Sequence, residues 1–284
     1  MGRPLISALS LAFLVGVALP PSPRAQFVQL MKTIPGPSRP VPASGGYAIS
    51  AGGDFNYDTY PDFVIGAPDA FDGRGMVQVF YGGPSFDTIA DWIAVGQSPG
   101  DHFGAAVNLE MDLDGHSGAE LLVGAPNASY SGTNRGRVYV YRGGTSPVLT
   151  PFRVIDGIAP GSGAGGGQLG SQLCPIGIWR MDGIRYWAAS APYDDGNRGY
   201  VQLFNGADST GSFFLLTRGV NAYDYYGYAI SHGDFNGDGT QDVVVGVVGY
   251  TTGGLTNAGR VELTFGAPAA TLSTPNISRN GTAA

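Results

Sequence analysis

The chain of 284 residues has one cysteine, one lysine and, beyond residue 25, no apolar run long enough to cross a membrane. The lone Cys174 excludes an internal disulfide framework. With no histidine or basic group beside it in sequence, it reads as a small buried hydrophobe and not as a reactive thiol. Basic residues number 15 against 22 acidic ones, for a net charge of −7, which disfavours nucleic acid and anionic membranes as partners. Sustained 3.6-residue apolar periodicity is also missing after residue 25, so helix should be nearly absent. What the chain has instead is turn formers and core formers together. It carries 47 glycines and 20 prolines, close to low-complexity values, yet 43% of its residues are hydrophobic and 11% aromatic. A strand-rich, turn-rich architecture reconciles the two.

Residues 1–25 read as a secretory signal peptide. Arg3 precedes an apolar run from Leu5 to Leu19, and Pro20-Pro21-Ser22-Pro23-Arg24-Ala25 follows. The expected mature protein is secreted, extracellular or at the cell surface, where calcium is plentiful enough for weak sites.

Internal repetition sets the expected fold. Four segments align on the glycines Gly46, Gly104, Gly170 and Gly227, which lie 58, 66 and 57 residues apart. Each segment continues into a loop and then an apolar run: Gly66-Ala67-Pro68, Gly124-Ala125-Pro126, Ser190-Ala191-Pro192 or Gly246-Val247-Val248 ends it. A third run follows, opened by Arg74-Gly75, Arg135-Gly136, Arg198-Gly199 or Ala258-Gly259. Connections supply a fourth run at Asp91–Val95, Phe152–Ile155 and Phe214–Thr217. Four short runs per unit, at even spacing, predict an all-β propeller of four four-stranded blades. Their expected bounds are about 46–102, 103–168, 169–225 and 226–267. The last unit lacks a fourth run, and Phe27–Ile34, within the segment 26–45, is the expected closing strand. Residues 268–284 then form a polar tail. An array left open would need self-association or another partner to cover its edges.

Two loops carry a distinctive oxygen pattern. Asp54, Asn56, Asp58, Tyr60 and Asp62 occupy positions 1, 3, 5, 7 and 9 of one, with Tyr60 offering its carbonyl. Asp234, Asn236, Asp238, Thr240 and Asp242 occupy the same positions of another. Alternate residues of a tight turn converge on one centre, and hard oxygen donors so spaced suit Ca2+. Three carboxylates within nine residues repel unless a cation neutralises them. The plain alternative is a polar hairpin turn built on Asp and Asn. The second unit offers Asp112, Asp114, His116, Gly118 and Glu120. Histidine is a poor calcium ligand, which leaves that loop open between a weakened site and a lost one. The third unit, with Ile178, Arg180, Asp182 and Tyr186, has lost the pattern.

Phe103-Gly104, the Gly-Ala-Pro triplets and the Asp-x-Asn-x-Asp loops resemble the FG-GAP repeats of the integrin α-subunit N-terminal β-propeller. The likeness covers about residues 26–267. It implies that the aspartate loops join the first two strands of a blade and hold calcium on one face, while the opposite face binds an extracellular protein. Seven blades are usual in that family, against four here.

No catalytic constellation stands out. Gly96-Gln97-Ser98-Pro99-Gly100 matches a hydrolase elbow only as letters, because it lies between units with proline after the serine. The competing class, a secreted hydrolase or phospholipase with a propeller domain, would need a catalytic domain for which this chain has no room. The expected function is an adhesion or ligand-binding module, with a lectin-like, carbohydrate-binding role as the nearest alternative. Expected ligand-face residues lie between the second and third strands: Phe71, Arg74, Tyr130, Arg135, Tyr193, Asp194, Asp195, Arg198 and Tyr250.

Overall fold

The computed structural model describes residues 44–281, apart from 117, 131–132, 159–165, 209, 211–212 and 268–274. All of these belong to the second of two compact units, which begins at residue 34. The expected signal peptide and the strand expected at Phe27–Ile34 lie outside the described residues.

Four antiparallel four-stranded sheets follow one another along the chain, as the repeats predict. Blade one is β1 (Ala48–Ala51), β2 (Phe63–Ala67), β3 (Met76–Phe80) and β4 (Trp92–Val95). Blade two begins with β5 (Ala106–Asn108) and β6 (Leu121–Ala125). A small hairpin, β7 (Ser129–Tyr130) and β8 (Thr133–Asn134), then precedes β9 (Arg137–Tyr141) and β10 (Arg153–Asp156). Blade three is β11 (Gln172–Ile178), β12 (Arg185–Ala191), β13 (Tyr200–Asn205) and β14 (Phe213–Arg218). Blade four is β15 (Tyr226–Gly233), β16 (Asp242–Val247), β17 (Arg260–Thr264) and β18 (Ile277–Asn280).

The last strand corrects the sequence reading. The place beside β17 is taken by Ile277–Asn280 from the supposed polar tail, and not by the N-terminal segment. One hydrogen bond shows that β18 is a true fourth strand. In every blade, the glycine after the fourth strand donates its N–H to the glycine that opens the third: Gly96 to Gly75, Gly157 to Gly136, Gly219 to Gly199 and Gly281 to Gly259, at 2.9–3.0 Å. Ile277-Ser278-Arg279-Asn280 has too few apolar residues to stand out as a strand, because it sits on an outer edge where burial demands little.

Each sheet is a plane with two faces, and register decides which side chains share one. In blade one, Ser50, Val64, Val79 and Trp92 stand in one row, and Ile49, Ile65, Gln78 and Ile93 in the next, pointing the other way. The first row packs on blade two, in a core with Val107, Val123 and Tyr139. The second core joins Leu122, Val138 and Val140 of blade two to Trp187, Ala189 and Tyr200 of blade three. The third joins Val201 and Leu203 of blade three to Val243, Val245 and Val247 of blade four. The three large core clusters are thus seams between successive blades, and a small fourth cluster lies on Ala67, Ala70 and Met76 of blade one. Gly66 and Gly124 explain the repeated Gly-Ala-Pro triplet: a Cβ on either would lie 2.0–2.1 Å from the carbonyl oxygen of Gly104 or Gly170 in the next blade.

Antiparallel strands put the loops between first and second strands at one end of each blade. The loops between second and third strands fall at the other.

Candidate cation loops and ligand cavity

The two intact oxygen loops adopt the same fold. Asp54 accepts the N–H groups of Asp58 (3.1 Å) and Thr59 (2.8 Å), and Asp234 accepts those of Asp238 (3.1 Å) and Gly239 (2.9 Å). Asn56 and Asn236 each donate their side-chain amide to the aspartate two residues on, at 2.9 and 2.8 Å. Positions 4 and 6 are left-handed in both: Tyr57 and Thr59 in blade one, Gly237 and Gly239 in blade four. Blade one therefore holds two side-chain-bearing residues in a conformation that favours glycine.

Position 9 also ties the loop to the sheet. Asp62 and Asp242 are buried. One carboxylate oxygen takes the N–H of Phe55 or Phe235, and the other takes the N–H of Gly82 or Gly266 just past the third strand. Each staples its loop to the sheet. For Asp62, burial outweighs those donors and raises the carboxyl above its ordinary value.

Blade two differs at that position. Glu120 is also buried, and one of its oxygens accepts the N–H of Leu113 at 2.6 Å. Its other oxygen, Oε1, is buried with no hydrogen-bond partner among the described residues. The extra methylene sets the carboxylate beside Asp112 and Asp114, where ligand atoms of all three lie within 4.8 Å of one another. Among the described residues this is the one group of three acidic, histidine or cysteine side chains so placed. Burial, aided by Asp114 and Asp112, pushes Glu120 up to about 7 against the N–H of Leu113. Arg142 contacts Asp114 at 2.6 Å and Arg185 contacts Asp112 at 3.4 Å. His116 faces Asp114 rather than the group's centre, at 2.9 Å. Asp114 is itself buried, yet hydrogen bonds from His116 and Arg142 hold it below the usual carboxylate range. In blade three, Asp182 accepts the Tyr186 hydroxyl at 2.6 Å, and no acidic group gathers there among the described residues.

At the other end, side chains of all four blades line one cavity of about 380 Å3. Seven of its lining residues hold two fixed places in the repeat. The residue after the first-strand glycine gives Tyr47, Ala105, Ser171 and Tyr228; the residue after the Ala-Pro proline gives Asp69, Asn127 and Tyr193. His102 ties two of them together: its Nδ1 accepts from the Asn127 amide at 2.6 Å, and its Nε2 lies 3.6 Å from Asp69. Tyr193 meets Tyr225 edge-on at 5.8 Å.

Of the expected ligand-face residues whose side chains are described, Tyr193 alone lines this cavity. Arg74 and Arg198 donate to the carbonyls of Gln97 and Val220 in the interblade connections. With the Arg135 carbonyl, which accepts from Leu169, they belong to the repeat's own framework. Asp194 is buried and paired with Arg218, and Asp195 faces Arg198 at 3.5 Å. Phe71 packs on Ala67, Ala70 and Met76. Tyr250 lies under the Arg260 guanidinium, 4.5 Å from its ring centre. Tyr130 stands in β7. Tyr47, Asp69, His102, Asn127 and Tyr228 escaped the sequence reading, although one signal was available. They vary at constant offsets from invariant-looking repeat glycines and prolines.

The remaining histidine, His232, is partnered with Gln241 at 3.1 Å and Glu110 at 3.9 Å. Ser98 sits in the connection between β4 and β5, its N–H given to Asp101. No described helix is long and apolar enough to cross a membrane.

Comparison with known proteins agrees with the repeat. The FG-GAP repeat family matches residues 45–80 and 226–261. Integrin alpha-5 of Xenopus laevis is 30% identical over 220 residues, 73% of this chain and 20% of that protein. Integrin alpha-4 of Xenopus laevis is 31% identical over 208 residues, 71% of this chain and 19% of that protein. Integrin alpha-V of Gallus gallus is 27% identical over 234 residues, 75% of this chain and 21% of that protein. The chain spans about a fifth of the length of these relatives. It carries FG-GAP repeats in two places and is similar to integrin alpha chains over most of its own length.

Proposed function

We propose that this chain is a secreted, non-enzymatic ligand-binding module whose blades are braced by calcium and whose ligand enters the four-blade cavity. The observation that carries the reading is the convergence of variable side chains from two fixed repeat positions on one concavity. A scaffold that holds its backbone constant and varies only the residues facing a pocket is built to select a ligand. Tyr47, Tyr193 and Tyr228 offer broad apolar faces with polar tips, and Asn127, Gln168 and Gln172 offer side-chain amides. Similarity to integrin alpha chains supports an adhesion role toward an extracellular protein. The tyrosine-and-amide lining also favours a glycan borne by such a protein, the lectin-like reading.

Asp54, Asn56, Asp58, the Tyr60 carbonyl and Asp62 would hold one calcium, and Asp234, Asn236, Asp238, Thr240 and Asp242 a second. Asp112, Asp114 and Glu120 fit a third cation, since Glu120 Oε1 is buried and unpartnered beside two carboxylates. Bound calcium would supply charge neutralisation, so the loops close without carboxylate repulsion.

The test is an array of extracellular-matrix proteins and glycans probed with the whole chain. Binding that survives in wild type and falls at least tenfold in Tyr193→Ala and Tyr228→Ala is expected. Binding that these substitutions leave untouched would remove the cavity from the account.

A further inference from the structure

The four blades make three seams, yet the chain carries the residues for four. Every blade presents a trailing set to the blade after it: the residue at loop position 2 and two residues of the third strand. In blades one to three these are Phe55, Val77 and Val79; Leu113, Val138 and Val140; and Trp179, Val201 and Leu203. All nine are buried in the seams. Blade four keeps the same chemistry in Phe235, Val261 and Leu263. There Phe235 is 56% exposed and Val261 49%.

The opposite end of the chain shows the matching half. Blade two's leading row, Val107, Val123, Tyr139 and Val154, is covered over its first three members by blade one. The equivalent row of blade one is Ile49, Ile65, Gln78 and Ile93, and Ile49 is 64% exposed where its counterpart Val107 is 8%. First strands pack in sequence, β1 on β5, β5 on β11 and β11 on β15, and no comparable packing joins β15 to β1 among the described residues. Gly246 agrees: among the described residues no other blade approaches it. A Cβ there would meet no atom closer than 3.5 Å, where Gly66 and Gly124 each meet the next blade's carbonyl.

We infer that a second copy of this chain covers both faces, blade four of each docking on blade one of the other. The partner is argued from the seam itself. Both complementary halves stand on one chain, and they would meet in the relation that blades one and two, two and three, and three and four already have. Such a contact is head-to-tail, so it closes only if the rotation allows. Two four-blade arcs give eight blades, at the upper end of the usual propeller range, with two identical seams and no exposed blade face. Gly45 stands where Phe103, Leu169 and Tyr226 insert into the other seams, so the joint between copies lacks a wedge and should be reversible on dilution.

Sedimentation velocity of the whole chain across concentration provides the test. Wild type should move from one chain mass to twice that mass as concentration rises. Ile49→Lys and Val261→Glu, both at exposed positions, should each remain monomeric. An equimolar mixture of the two variants should dimerise again, because one intact seam can form and the charges at the other are opposite. A wild type that stays monomeric would overturn the inference, as would open-ended polymers. So would a dimer that persists in either single variant, because it would use another surface. Recovery in the mixture also shows that both variants are folded.

Discussion

Replacing Glu120 with glutamine keeps the shape of a buried side chain and removes its charge. In the metal-free protein, Glu120 is held up to about 7 by burial and by the neighbouring aspartates, against an ordinary value of 4.5. The folded state therefore keeps a proton that the unfolded chain gives up. Stability from this group is fully present below pH 4.5 and is lost as pH rises through about 7. At about 1.4 kcal/mol per pH unit, the span corresponds to roughly 3 kcal/mol lost by pH 8. Glu120→Gln cannot ionise, and its amide supplies a donor where Oε1 has no partner, so it should be more stable than wild type by about that amount at pH 8. The two should converge near pH 4.5. Urea denaturation in chelator, run from pH 4.5 to 8.5, reads the difference directly, and the other raised carboxyls cancel between the two proteins. Added calcium should stabilise wild type more than the variant, reversing their order. Parallel pH profiles for the two proteins would refute the reasoning, since Glu120 would then ionise as freely folded as unfolded.

Two further substitutions test the framework. Gly281→Ala would set a Cβ 1.7 Å from the Ala258 carbonyl, so β18 should detach at a cost of about 1–3 kcal/mol; hydrogen exchange at 277–280 should quicken while blades one to three stay protected. Phe103→Ala empties the first seam, where its ring meets Tyr139 edge-on at 5.1 Å, and should cost about 3–5 kcal/mol in chemical denaturation without shifting the cavity tyrosines.

The repeat was legible because each blade must solve the same problem. A glycine must let the next blade approach, as at Gly66 and Gly124, and a valine must fill the seam, as at Val77, Val138 and Val201. Such requirements write themselves into spacing. β18 was hidden because an edge strand needs little burial, and its identity lies in backbone hydrogen bonds that any residue can make. The oxygen loops were visible as a pattern, but the staple role of Asp62 and Asp242 depends on Gly82 and Gly266, some 20 residues away. In blade two the sequence named Asp112, Asp114 and Glu120 but left the loop open because of the histidine at position 5; the longer side chain of Glu120 is what gathers the acidic group. The cavity was missed for a simpler reason. Its residues come singly from four blades, and their convergence is a property of the fold.

Calcium bracing is the claim on which the rest of the functional account leans, and melting at matched ionic strength tests it most directly. A single site held at 100 times its Kd contributes about 2.7 kcal/mol, which for a domain of this size raises Tm by roughly 5–10 °C. The account predicts at least that rise between chelator and calcium, reduced in Asp54→Ala and again in Asp234→Ala. Equal melting temperatures in chelator and calcium would contradict it.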